Sequence, residues 1–132
     1  MTAGRSGSGP GALADLLGIR PASMGGGRAR FALTVRDDHM NPNGVVHGGI
    51  VYSLADTAMG AALFSELEPG QSCTTLEIKI NYLAPVTSGE LVAEAAIVAR
   101  TKRTGVLEAR VHGDGAALVA VATGTFYIQN AQ

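Results

Sequence analysis

A chain of 132 residues lies within the size of one domain, and below about 200 residues there is little room for a second hydrophobic core. A hydrophobic fraction of 46% against 16% charged residues excludes a disordered chain, and 5% aromatic residues with no tryptophan leave Ala, Val, Leu and Ile to build the core. A formal net charge of -1 without a long basic run lacks the electrostatic footprint of a nucleic-acid binder, so the expected partner is a small molecule or another copy of the chain.

The opening MTAGRSGSGPG is rich in Gly and Ser, so Met1 to Gly11 is expected to be a flexible tail without function, ahead of a single domain over residues 12–132. The tail has no apolar stretch of the secretory kind, and no apolar run near 18 residues occurs elsewhere. The single Cys73 has no partner for an internal disulfide. Together these predict a cytoplasmic protein with no membrane contact.

Ala12 to Ile19 places Leu13, Leu16 and Leu17 on one helical face, and Pro21 with Gly25 to Gly27 ends that segment, predicting a short docking helix followed by a turn. The glycine cluster lacks GxGxxG spacing and precedes a strand-like stretch, so it reads as a turn rather than a phosphate cradle. Arg30 to Arg36 alternates Phe31, Leu33 and Val35 with Ala32 and Thr34, the period of a half-buried strand. Asp38 to Gly44 is dense in turn formers and predicts an ordered loop.

His47 to about Leu67 has no proline and is apolar on nearly every face, which predicts a long helix buried almost all round, closed by Glu68-Pro69-Gly70. Four strand-like runs follow: Ser72 to Tyr82, Glu90 to Arg100, Val106 to His112 and Ala117 to Ile128. Short Gly-containing turns between them favour an antiparallel meander, and one buried helix needs a curved sheet to wrap it, so an α+β hotdog fold is the economical architecture. In Glu90 to Arg100 both alternating sets are largely apolar, so one face would meet the helix and the other a partner subunit.

A helix starting at His47 would leave the N–H groups of Gly48 and Gly49 free at its positive end, where an oxyanion is stabilised and a carbonyl can approach closely. The alternative is that the two glycines only allow tight packing. Asp56 is the only charged residue between His47 and Ser65, and an unpaired carboxylate in a buried helix is costly, so it is either catalytic or bonded to a neighbouring group such as Thr57. Asp56 follows Gly49 by seven residues, about 10 Å along the axis. If both act on one carbonyl, two chains of a symmetric oligomer must supply them.

The stretch HGGIVYSLADTA, His47 to Ala58, closely resembles the HGGxxxxLADTA signature of the hotdog thioesterases of the PaaI (phenylacetic acid degradation) family. The resemblance extends to His39-Met40-Asn41, to Thr74 through Pro85 and more weakly to Lys102 through Val106, covering roughly Arg30 to Ile128. It implies hydrolysis of an acyl- or aryl-acyl-CoA to the free acid and coenzyme A. By position it makes Asp56 the general base or nucleophile, Gly48 the donor to the thioester carbonyl and Asn41 a neighbour of the thioester. Thr75 would hold the attacking water, and His47 would support the loop and carbonyl end. Gly49 is expected to contact the substrate or its coenzyme A.

Arg100, Lys102 and Arg103 are either a solvated turn or a contact for the coenzyme A phosphates. Ser53 with His47 suggests a hydrolase pair, but no GxSxG elbow is present and the two sit on different faces. Cys73 reads as a strand thiol. His39, His47 and His112 lack metal-ligand spacing, so neither metal nor cofactor is expected. Hotdog domains also serve as hydratases and as non-catalytic acyl-CoA sensors. The acidic Asp56 favours catalysis, in a homo-oligomer expected to be a homotetramer built as a dimer of dimers.

Overall fold

The computed structural model describes residues 9–130. The tail expected over Met1 to Gly11 lies outside the described residues as far as Ser8, and Gly9 and Pro10 form a bend before the first helix, α1 (Ala12–Leu17). Helix α1 ends at Gly18, whose left-handed φ of 82° closes the turn. Its docking face differs from the one predicted: Ala14 and Ile19 are buried, whereas Leu13 and Leu16 are 61% and 70% exposed. Six residues do not make two full turns, so periodicity had too short a segment to fix a face.

A strand follows where only a turn was expected. β1 (Arg20–Gly25) pairs antiparallel with β2 (Arg28–Thr34), from Arg20 opposite Ala32 to Gly25 opposite Arg28. Every residue of β1 is exposed, so no hydrophobic alternation announces it. The glycine cluster does make the turn, with positive φ at Gly25, Gly26 and Gly27.

Helix α2 (Gly48–Phe64) runs through the concave side of the sheet and buries Val51, Leu54, Ala55, Ala58, Met59, Ala62 and Leu63. Fully burying Leu54, Met59 and Leu63 contributes about 2 kcal/mol each. The core is rich in small residues: Ala55, Ala58 and Ala62 of the helix share one buried cluster with Ala93, Ala95, Ala109 and Ala122 of the strands. At Gly105 an added Cβ would stand 3.0 Å from Leu63.

The remaining strands are β3 (Ser72–Tyr82), β4 (Glu90–Arg100), β5 (Thr104–His112) and β6 (Leu118–Gln129), in one six-stranded sheet of order β1-β2-β4-β5-β6-β3. This is the hotdog arrangement, an antiparallel sheet around one long helix. The meander is limited to β4, β5 and β6: β3 pairs with β6 and not with β4, while β2 takes the place beside β4. β3 is therefore an outer strand, and its pairing skips Leu76, with Thr75 opposite Phe126 and Glu77 opposite Thr125.

Candidate active site

Asp56 stands two turns into α2, and Thr75 faces it from β3. The Thr75 hydroxyl donates to Asp56 Oδ1 at 2.7 Å. The bulge at Leu76 makes this possible, because regular alternation with Ile78 and Ile80 turned toward the helix would send Thr75 to the outer face. Burial pushes the Asp56 pKa above the ordinary carboxylate value, and the Thr75 bond partly offsets it. The Thr75 proton is committed to the carboxylate, so toward a water its hydroxyl has acceptor capacity only.

Asp56 and Thr75 share the wall of a cavity of about 500 Å³, a size suited to a small-molecule ligand. Its apolar lining includes Phe31, Phe64 and Phe126, the only phenylalanines in the chain. Cys73 and Gly60 lie on the same wall, and Gly9 and Pro10 reach it from the start of the described chain. Burial and the Asp56 carboxylate raise the Cys73 pKa, which keeps it a thiol and suits the reading as a strand residue rather than a nucleophile.

The start of α2 is built differently. His47 is the N-cap, and its Nδ1 accepts from the Gly49 N–H at 2.7 Å. The expectation that Gly48 and Gly49 both offer free N–H groups is thus corrected: the N–H of Gly49 is taken, and that of Gly48 has no acceptor among the described residues. Gly48 lines a separate cavity with Val51 and Tyr82. The Tyr82 hydroxyl donates to the Gly48 carbonyl at 2.8 Å, and its ring stands 3.1 Å from where a Gly48 Cβ would be. Asn41 turns its Oδ1 back onto the N–H groups of Asn43 and Val45, bracing the loop before the helix. His39, fully buried, accepts from Arg36 N–H and bonds the Leu17 carbonyl, tying α1 to that loop.

The profile of the thioesterase superfamily matches residues 43–120, more than half of the chain. The chain belongs to the thioesterase superfamily. Similar members include the acyl-coenzyme A thioesterase PaaI of Escherichia coli, 35% identical over 101 residues, which are 76% of this chain and 70% of that one. The 1,4-dihydroxy-2-naphthoyl-CoA hydrolase of Listeria monocytogenes is 28% identical over 117 residues, 89% of this chain and 95% of that one. A solved conserved protein of Pseudomonas aeruginosa superposes with a TM-score of 0.87 at 38% identity, covering 90% and 94% of the two chains.

Within this thioesterase-superfamily chain the predicted residues fall into three groups. Asp56 and Thr75 come together; Gly48, Gly49, His47 and Asn41 gather at and before the N-terminus of α2, about two turns from that carboxylate. The basic residues stand at the β4–β5 hairpin: Arg100 donates to the Glu66 carbonyl at 3.2 Å, while Lys102 and Arg103 are exposed and line neither cavity. Ser53 is not paired with His47, since its hydroxyl returns to the Gly49 carbonyl. Sequence reasoning gave no role to Tyr82 or to the phenylalanines. Their signal was scarcity: three Phe in 132 residues, all on one cavity.

Proposed function

We propose that the chain is an acyl-CoA thioesterase that hydrolyses an acyl- or aryl-acyl-CoA to the free acid and coenzyme A. The observation that carries this reading is a carboxylate of raised pKa, oriented by Thr75, on the wall of an apolar cavity. Asp56 accepts a proton from water as the water oxygen adds to the thioester carbon, and the Gly48 N–H stabilises the oxyanion. The C–S bond then breaks, and the proton held on Asp56 passes to the departing thiolate. Direct attack by the carboxylate, giving an anhydride that water opens, uses the same residues. The phenylalanine walls favour an aryl group among acyl chains.

Gly48 and Asp56 line separate cavities, so in this reading each site takes Gly48 with Asn41 and His47 from one subunit and Asp56 with Thr75 from another. The outer strand β3, eleven residues long, offers an edge for that association, and a homotetramer would be a dimer of such dimers. Lys102 and Arg103, with Arg100, are the groups for the coenzyme A phosphates. Cytoplasmic placement accompanies a CoA ester as substrate; among the described residues no helix is long and apolar enough to cross a membrane.

Release of free thiol from an acyl-CoA panel is the test. Turnover that disappears in Asp56→Asn supports the reading. Tight binding without release makes the chain an acyl-CoA sensor, and reaction confined to enoyl chains makes it a hydratase.

A further inference from the structure

Gly60 lies inside α2, four residues after Asp56, and its backbone does not call for glycine. Its φ is not among the positive ones, and an added Cβ would meet only Phe126 Cε2, at 3.5 Å, an ordinary contact. Glycine is the weakest helix former after proline, so alanine would favour the helix. Gly105 differs, because a Cβ there runs into Leu63 at 3.0 Å and packing accounts for it.

What the missing side chain leaves is space in the cavity that holds Asp56 and Thr75. Residues four apart share a helix face, and four residues advance about 6 Å along the axis. Gly60 therefore lies about one turn past the carboxylate. Phe126 stands across from it, and Cys73 Sγ sits 3.6 Å from its carbonyl oxygen. A butanoyl chain or a benzoyl ring with its carbonyl carbon near Asp56 ends short of that depth, whereas an extended hexanoyl chain reaches it.

We propose that Gly60 is a specificity-determining residue: the open space it leaves one turn beyond Asp56 admits linear acyl chains of six or more carbons and favours them over shorter ones. The inference rests on the thioesterase reading and assigns the depth of its acyl pocket to one residue.

The test compares wild type with Gly60→Ala and Gly60→Val by kcat/KM on butanoyl-CoA, hexanoyl-CoA and benzoyl-CoA, together with Tm and oligomer mass. The alanine methyl is expected to lower the hexanoyl-to-butanoyl ratio by about tenfold, the discrimination one methylene commands in an apolar pocket, and valine further, while the benzoyl-to-butanoyl ratio stays the same because neither group reaches Gly60. Tm of Gly60→Ala should rise by about 3 °C. An unchanged hexanoyl-to-butanoyl ratio, or equal loss on all three substrates, would overturn the proposal. A lowered Tm or altered oligomer mass would do the same, by giving the glycine to packing. Wild-type silence on every acyl-CoA removes the thioesterase reading itself and this inference with it, so the two failures are distinct.

Discussion

Asp56 announced itself in the sequence as the lone charge in an apolar helix, and burial now gives that charge a measurable signature. Asp56→Asn should lower turnover by about a hundredfold or more, the usual scale of a lost general base. The same change should stabilise the fold at neutral pH. A carboxyl whose folded pKa exceeds its unfolded value favours the folded state below the unfolded pKa, and that contribution is lost as pH rises through the folded pKa. Asparagine never ionises, so its Tm should exceed that of wild type at neutral pH and the gap should close at acid pH. Thr75 holds the charged form, so Thr75→Val should raise the Asp56 pKa and move the acid limb of the kcat/KM profile to higher pH. An unmoved limb would disconnect Thr75 from the base. Tyr82 was not legible in this way, because its bond to Gly48 joins residues 34 apart and exists only once β3 lies beside α2.

At the level of elements, legibility followed burial. β4 was legible between Glu90 and Arg100 because both of its alternating sets are largely apolar, and Leu91, Ala93 and Ala95 belong to the set that enters the core. β1 carries no such pattern on its exposed residues. The place of β3 beside β6 was hidden as well, since turn chemistry reports neighbours along the chain and not a strand that crosses the sheet. The helix-to-sheet spacing gives a test at this scale. Gly105→Ala puts a Cβ 3.0 Å from the fully buried Leu63 and should destabilise by about 1–3 kcal/mol, read from the urea midpoint. An unchanged midpoint would mean that Leu63 has room to withdraw.

For the whole molecule the decisive fact is that one chain separates the free Gly48 N–H from the Asp56 carboxylate. Asp56→Asn and Gly48→Pro should each be inactive alone and active when mixed, because one of the two shared sites in a heterodimer regains both partners. Gly48 is the first residue of α2, where proline is accepted, but Tyr82 at 3.1 Å must yield, so folding and subunit exchange are checked first. Inactive verified heterodimers, or a fully active monomer, would sink the shared site.

β3 is written in two reading frames. Cys73 and Thr75 turn inward in the odd frame, Ile78 and Ile80 in the even one, and Leu76 is the shift between them. The strand therefore counts residues as well as choosing them. Deleting Leu76, itself 60% exposed, would merge the frames with all four side chains still inward. Deleting Lys79 instead would turn Ile80 and Tyr82 outward together. The first deletion should leave a folded protein with measurable thiol release; the second should lower Tm sharply and abolish it. Equal damage from both would show that the bend of the strand at the bulge, and not its count, is what turns Thr75 toward the carboxylate.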